Sequence, residues 1–180
     1  MCIRDSPKYL EYLQKAETFK KEGNEFFKAK NYPKARSKYA RVFSYTRSLN
    51  MNTSSDSISK MALDSKGKIP SSLSQKAKIL ERDSNSNLCM VYIQEKNWSR
   101  AILKATLSLE IEETAKAYFR RGKSYAMKND FENAYKDFKT GIEKFNGEKA
   151  LFEGEIEKTK KRERKYDRAE AQRFSKAMQE

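Results

Sequence analysis

Three short stretches of this 180-residue chain repeat one another: KNYPKA at Lys30 to Ala35, KNWSRA at Lys96 to Ala101, and KNDFENA at Lys128 to Ala134. Each sets an aromatic three residues ahead of an alanine, at Tyr32/Ala35, Trp98/Ala101 and Phe131/Ala134, and these aromatics lie 66 and then 33 residues apart. Upstream of each stretch a small residue precedes an aromatic by three, at Gly23/Phe26, Cys89/Tyr92 and Gly122/Tyr125. Four positions beyond each alanine come Tyr39, Ala105 and Phe138. Helical spacing on both sides of a polar turn describes a helix-turn-helix unit that cannot bury its apolar face alone, so units of this period must stack. The expected fold is all-α, a superhelix of three such repeats.

The small-x-x-aromatic motif of each first helix and the aromatic-x-x-Ala start of each second helix resemble the tetratricopeptide family. The resemblance implies that the small residue admits the partner helix while the aromatics and alanines interlock. It also explains Gly23, in the middle of the helix FKKEGNEFF, where Gly costs about 1 kcal/mol relative to Ala. The second repeat departs from the pattern, with Cys89 in place of Gly and Asn85 where the other repeats have Phe19 and Tyr118, and no Pro closes any repeat.

The doubled first interval is filled by residues 50–74, which hold eight serines and the breakers Gly67 and Pro70 and read as a flexible insertion. From Ser71 or Ser72 an amphipathic pattern resumes through Leu73, Ala77, Leu80, Leu88 and Val91, predicting a helix of roughly 24 residues. Residues 7–147 are thus three repeats, and 148–180 are a C-terminal helix that caps the array with its first half and projects with its second. Residues 1–6 are expected to be a non-native or disordered N-terminus, because the helical pattern begins abruptly with Ser6 and Pro7 placed as N-cap and first helical residue. Two readings stay open: a fragment whose catalytic part lay upstream, or a complete non-enzymatic adaptor.

Composition removes several classes of function. The chain has no histidine, which excludes His-based triads, proton shuttles and His metal sites, and its two cysteines, Cys2 and Cys89, form no C-x-x-C pair. No nucleophile motif or Gly-rich phosphate loop is present, so the expectation is a non-enzymatic protein with no cofactor and no metal. No segment has the roughly 20 apolar residues needed to cross a bilayer, and a reducing, cytoplasmic setting follows from the cysteine usage. The formal charge of +14 would attract any polyanion.

Helical spacing puts Lys20 and Asn24 on one face of the first helix of repeat one, and Lys116 and Arg120 on one face of the first helix of repeat three. Asn87 stands five residues before Tyr92 as Arg120 stands five before Tyr125. These five residues resemble the carboxylate clamp of tetratricopeptide co-chaperones: K-x-x-G-N at Lys20 to Asn24, then Asn87, then KAYFRRG with Lys116 and Arg120. The resemblance implies binding of the acidic C-terminus of heat-shock chaperones of the 90 or 70 class, ending Glu-Glu-Val-Asp. A terminal Asp presents two carboxylates, which Lys and Arg meet with charge-assisted hydrogen bonds of about 1.5–3 kcal/mol each. Met90 and Phe119, at i+3 from Asn87 and Lys116, form a candidate apolar seat for the penultimate Val.

Taken singly, any of the 39 Lys and Arg residues reads as a solvated surface charge, and only their joint placement with two helical asparagines points to a site. The run KTKKRERKYDR, Lys158 to Arg168, reads first as a solvated helix face, and second as a surface for calmodulin or another acidic partner. An array followed by such a helix resembles the C-terminal half of large immunophilins, which are peptidyl-prolyl isomerases with a tetratricopeptide domain. The alternative class of function is a basic helical-repeat protein binding RNA or another polyanion; against RNA, only Tyr166 interleaves with the basic run. Nucleic acid is therefore disfavoured as a partner, and a membrane is not expected.

Overall fold

The computed structural model of the chain describes residues 6–50 and 69–179. Among the described residues there are seven α-helices: α1 (Ser6–Lys28), α2 (Tyr32–Asn50), α3 (Ser71–Gln94), α4 (Trp98–Ile111), α5 (Ala115–Met127), α6 (Phe131–Lys144) and α7 (Lys149–Ala177). A single 3₁₀ turn, Asn146–Glu148, joins the last two. Each helix packs on the next in the chain, and the first helices α1, α3 and α5 also touch one another in sequence, forming an inner layer.

The repeated K-N and N-D dipeptides make the three hairpin turns alike. Lys30, Lys96 and Asn129 adopt positive φ of 57°, 56° and 65°, ending the first helix of each pair in a left-handed residue. The following N–H of Asn31, Asn97 or Asp130 reaches back to the carbonyl of Phe26, Tyr92 or Tyr125, closing a Schellman turn. The same three side chains then cap the second helices, accepting from the backbone N–H of Lys34, Arg100 and Asn133. One polar residue therefore closes one helix with its backbone and opens the next with its side chain.

Close approach across each hairpin accounts for the glycines. A β-carbon on Gly23 would lie 2.6 Å from the ring of Tyr39, and one on Gly122 would lie 2.6 Å from the ring of Phe138. In the second repeat the corresponding pair is Cys89 and Ala105, both fully buried in one core cluster. There the larger residue on the first helix is matched by a smaller one on the second. The device recurs once more where α6 meets the capping helix, with Gly141 under the ring of Phe152.

Residues 71–74, which fall both in the expected insertion and at the start of the predicted helix, belong to the helix: they open α3, which runs 24 residues. Pro70 stands before the first helical residue, its carbonyl accepts from the N–H groups of Leu73 and Ser74, and Leu73 is buried with Val42 and Leu49 of α2. Burial of Leu73, Ala77 and Leu80 against the long α2 is what extends this helix. The rest of the expected insertion, 51–68, and the N-terminal residues 1–5 lie outside the described residues; Ser6 is already helical. In α7, Phe152 and Thr159 are buried and Tyr166 packs edge-on to Phe131, whereas the residues from Glu170 to the end of the helix at Ala177 are exposed.

Candidate functional site

Helix α1 carries Lys20 and Asn24 one turn apart, and α3 carries Asp83 and Asn87 one turn apart. Lys20 Nζ donates to Asp83 Oδ2 at 3.0 Å, and Asn87 Nδ2 donates to Asn24 Oδ1 at 3.0 Å. Both pairs span 63 residues of chain, so α1 and α3 run parallel here and are joined by two rungs about 6 Å apart at 1.5 Å rise per residue. Tyr39, reaching through from α2, donates its hydroxyl to the same Asn24 Oδ1 at 2.8 Å. Burial pushes the Tyr39 phenol up to about 12, so it remains a neutral donor at ordinary pH. The oxygen of Asn24 is used twice, whereas its amide NH₂ has no partner among the described residues.

Helix α5 brings Arg120 to the same place. Its Nη1 donates to the carbonyl and hydroxyl of Ser86, beside Asn87 on α3. The guanidinium is partly buried, and burial depresses its pKa; the nearest titratable groups are Cys89 and Tyr39. Burial holds the Cys89 thiol at about 12, so both neighbours are neutral at physiological pH. Among the described residues Arg120 has no carboxylate partner. A desolvated cation facing only neutral dipoles is a place where an anion is stabilised strongly.

These side chains line one cleft of about 230 Å³, formed by Asn24, Phe27, Lys28, Tyr39, Asn87, Met90 and Arg120. It brings together four of the seven residues expected from the sequence: Asn24, Asn87, Arg120 and Met90. Lys20 lies one turn above, held by Asp83, and Lys116 is exposed one turn from Arg120 outside the cleft lining. Phe119 does not line it either. Its ring packs against Phe138 and Phe152, 6.5 and 6.0 Å between centroids, in the core beneath the capping helix. Three lining residues were not anticipated: Phe27 and Lys28 continue the α1 face at i+3 and i+4 from Asn24, a signal present in the sequence, whereas the repeat pattern marks Tyr39 only as a packing position.

The remaining strong polar contacts serve the scaffold. Arg121 grips Asp137 through two hydrogen bonds of 2.8 and 2.7 Å, tying α5 to α6. Arg162, within the basic run of α7, donates to the carbonyls of Ala126 and Met127 and to Asn129 Oδ1, closing the C-terminal end of α5. Lys161, Arg164, Lys165 and Arg168 lie along one exposed face of α7. No group of metal-ligating residues occurs among the described residues, and no described helix is long and apolar enough to cross a membrane.

Comparison with solved structures decides the fold. The C-terminal tetratricopeptide-containing domain of a Plasmodium falciparum FK506-binding protein superposes with a TM-score of 0.68 over 89% of this chain and 95% of that one, at 22% identity. The chain has the tetratricopeptide-repeat fold. The first tetratricopeptide domain of Spaghetti (RPAP3), bound to the HSP90 peptide SRMEEVD, matches with a TM-score of 0.59 over 82% of this chain and 92% of that one, at 20% identity. The Arabidopsis OM64 tetratricopeptide domain matches at 0.57 over 86% and 98%, at 18% identity. Among curated proteins, human peptidyl-prolyl cis-trans isomerase FKBP4 is 27% identical over 141 residues, 78% of this chain. The chain spans only 27% of the length of that relative, and no isomerase domain lies in the matching region. No family model matches the chain.

Proposed function

We propose that this tetratricopeptide domain binds the acidic C-terminal tail of a heat-shock chaperone, seating the terminal carboxylates in the cleft between α1, α3 and α5. The observation that carries the reading is Arg120: a partly buried guanidinium without an acidic partner among the described residues, sharing one cleft with Asn24 and Asn87. A ligand carboxylate would supply the missing charge, and the two asparagines would hold its second oxygen or the adjacent peptide group. Phe27 and Met90 offer the apolar wall for the penultimate side chain, in place of Phe119. Lys20 and Lys116 flank the cleft and would meet the further carboxylates of a tail rich in Glu and Asp.

The RPAP3 domain bound to SRMEEVD supports the ligand class by likeness of fold. The cytoplasm is the compartment this reading implies. The test is calorimetric titration with the pentapeptide Met-Glu-Glu-Val-Asp beside its C-terminal amide. Micromolar binding of the free acid, with at least tenfold loss on amidation and on Arg120→Ala, is expected where charge-assisted bonds of about 1.5–3 kcal/mol are removed. Equal binding of acid and amide would falsify it.

A further inference from the structure

We propose that Asp83 is an internal competitor for the ligand carboxylate at Lys20, making the domain selective for tails acidic enough to displace it. This rests on the tail-binding reading above and adds a specificity-determining residue to it. Asp83 and Lys116 lie 33 residues apart and occupy the same place in successive repeats, one turn before Asn87 and Arg120. Where the third repeat offers the ligand a cation, the second therefore places an acid, and its Oδ2 holds the Lys20 ammonium at 3.0 Å.

The contact is built to open. Lys20 uses Oδ2 alone, whereas Arg82 binds the other oxygen, Oδ1, through Nε at 3.0 Å and Nη2 at 2.7 Å. When Lys20 turns to a ligand oxygen, Asp83 keeps its Arg82 partner and is not left bare. Arg82 is itself paired with Glu112, so the acid stays in place as a fixed negative charge. Lys20 and Asp83 retain 24% and 32% of their side-chain exposure, enough for a ligand to reach and little enough for their charges to be only partly screened. An incoming tail must both replace the Asp83 oxygen at Lys20 and tolerate the carboxylate beside it. Such a built-in penalty falls on weakly acidic ligands and leaves those with several carboxylates favoured.

The experiment is titration of the wild type, Asp83→Asn, Lys20→Ala and the double variant with Met-Glu-Glu-Val-Asp. Thermal unfolding confirms folding, and Asp83→Ser serves as a second neutral variant. Removing the competitor should tighten binding about three- to tenfold, the range set by a partly exposed ion pair plus loss of one repulsive charge. In the Lys20→Ala background the gain should shrink to the part that comes from removing the repulsive charge. Where the wild type binds, unchanged or weaker binding by Asp83→Asn overturns the competitor alone, as does a gain undiminished without Lys20. If neither wild type nor Asp83→Asn binds, the tail-binding reading fails and this inference with it.

Discussion

The Tyr39 ring lies where a β-carbon on Gly23 would stand, and its hydroxyl donates to Asn24, the residue after that glycine, at 2.8 Å. The packing signature of the repeat and the polar cleft thus meet in one side chain: the missing β-carbon lets the ring approach closely, and the ring delivers its hydroxyl to the amide. Tyr39→Phe keeps the ring and removes the bond. Stability and peptide affinity should each fall by about 1 kcal/mol, the usual net value of one hydrogen bond. Parallel urea unfolding and peptide titration measure both.

The glycines should separate sharply by position. Gly23→Ala and Gly122→Ala push a methyl into an aromatic ring and should each destabilise the fold by about 1–3 kcal/mol. Gly154 lies inside α7 with nothing within 4 Å of its would-be β-carbon. There Ala should stabilise by up to about 1 kcal/mol through helix propensity alone. Urea midpoints of the three variants decide the matter.

What could be read from the sequence was what is local. The turn dipeptides and the small residue of each repeat act across one hairpin, with Gly23 and Tyr39, Cys89 and Ala105, and Gly122 and Phe138 all 16 residues apart, so a regular spacing exposes them. Asn87 and Arg120 were legible for a related reason, since they hold equivalent positions in stacked repeats, and Asn24 was legible from the K-x-x-G-N pattern. The Lys20–Asp83 pair was not, because it joins helices across the insertion and no spacing rule gives it. Phe119 was misjudged because i+3 from Lys116 fixes a direction on the helix but not the neighbour in that direction, which is the capping helix with Phe152. Arg162 was read as solvated; its partners are backbone carbonyls, which sequence patterns do not display.

The pairing of Cys89 with Ala105 makes a thermodynamic cycle possible. Ala105→Phe alone should overpack the second hairpin and cost about 1–3 kcal/mol. Combined with Cys89→Gly, which recreates the Gly/Phe pair of the third repeat, the loss should be smaller than the sum of the single changes by about 1 kcal/mol or more. Additive losses would mean that the two sites are not in steric register. Denaturant unfolding of the four proteins measures the coupling.

Asp83 also gives the domain a signature in acid. Burial raises its pKa, but the hydrogen bonds from Arg82 and Lys20 outweigh that and hold it below the usual carboxylate value. A depressed folded pKa means that the unfolded chain takes up the proton first as pH falls. The contribution of Asp83 is therefore intact well above the unfolded value of about 3.9 and is lost as pH falls through the lower folded value. The difference in urea midpoint between wild type and Asp83→Asn should be largest near neutrality and shrink steadily below about pH 4. A difference independent of pH would show that the ion pair adds nothing to stability.

Arg120 provides the clearest separation of binding from folding. Its guanidinium is held in partly buried surroundings by Ser86, with no carboxylate among the described residues to offset the desolvation of its charge. A side chain selected for stability would not be placed so, because an unpaired desolvated cation opposes folding, and apolar residues of similar volume often replace buried charges without loss. Arg120→Met should therefore leave the unfolding midpoint within about 1 kcal/mol of the wild type, or raise it. The same variant should bind Met-Glu-Glu-Val-Asp at least tenfold more weakly, the loss of a charge-assisted contact of about 1.5–3 kcal/mol. Retained stability with lost binding marks a residue kept for its ligand. Lost stability of several kcal/mol would instead make Arg120 a structural bridge between α5 and Ser86, and the cleft would need another source of charge.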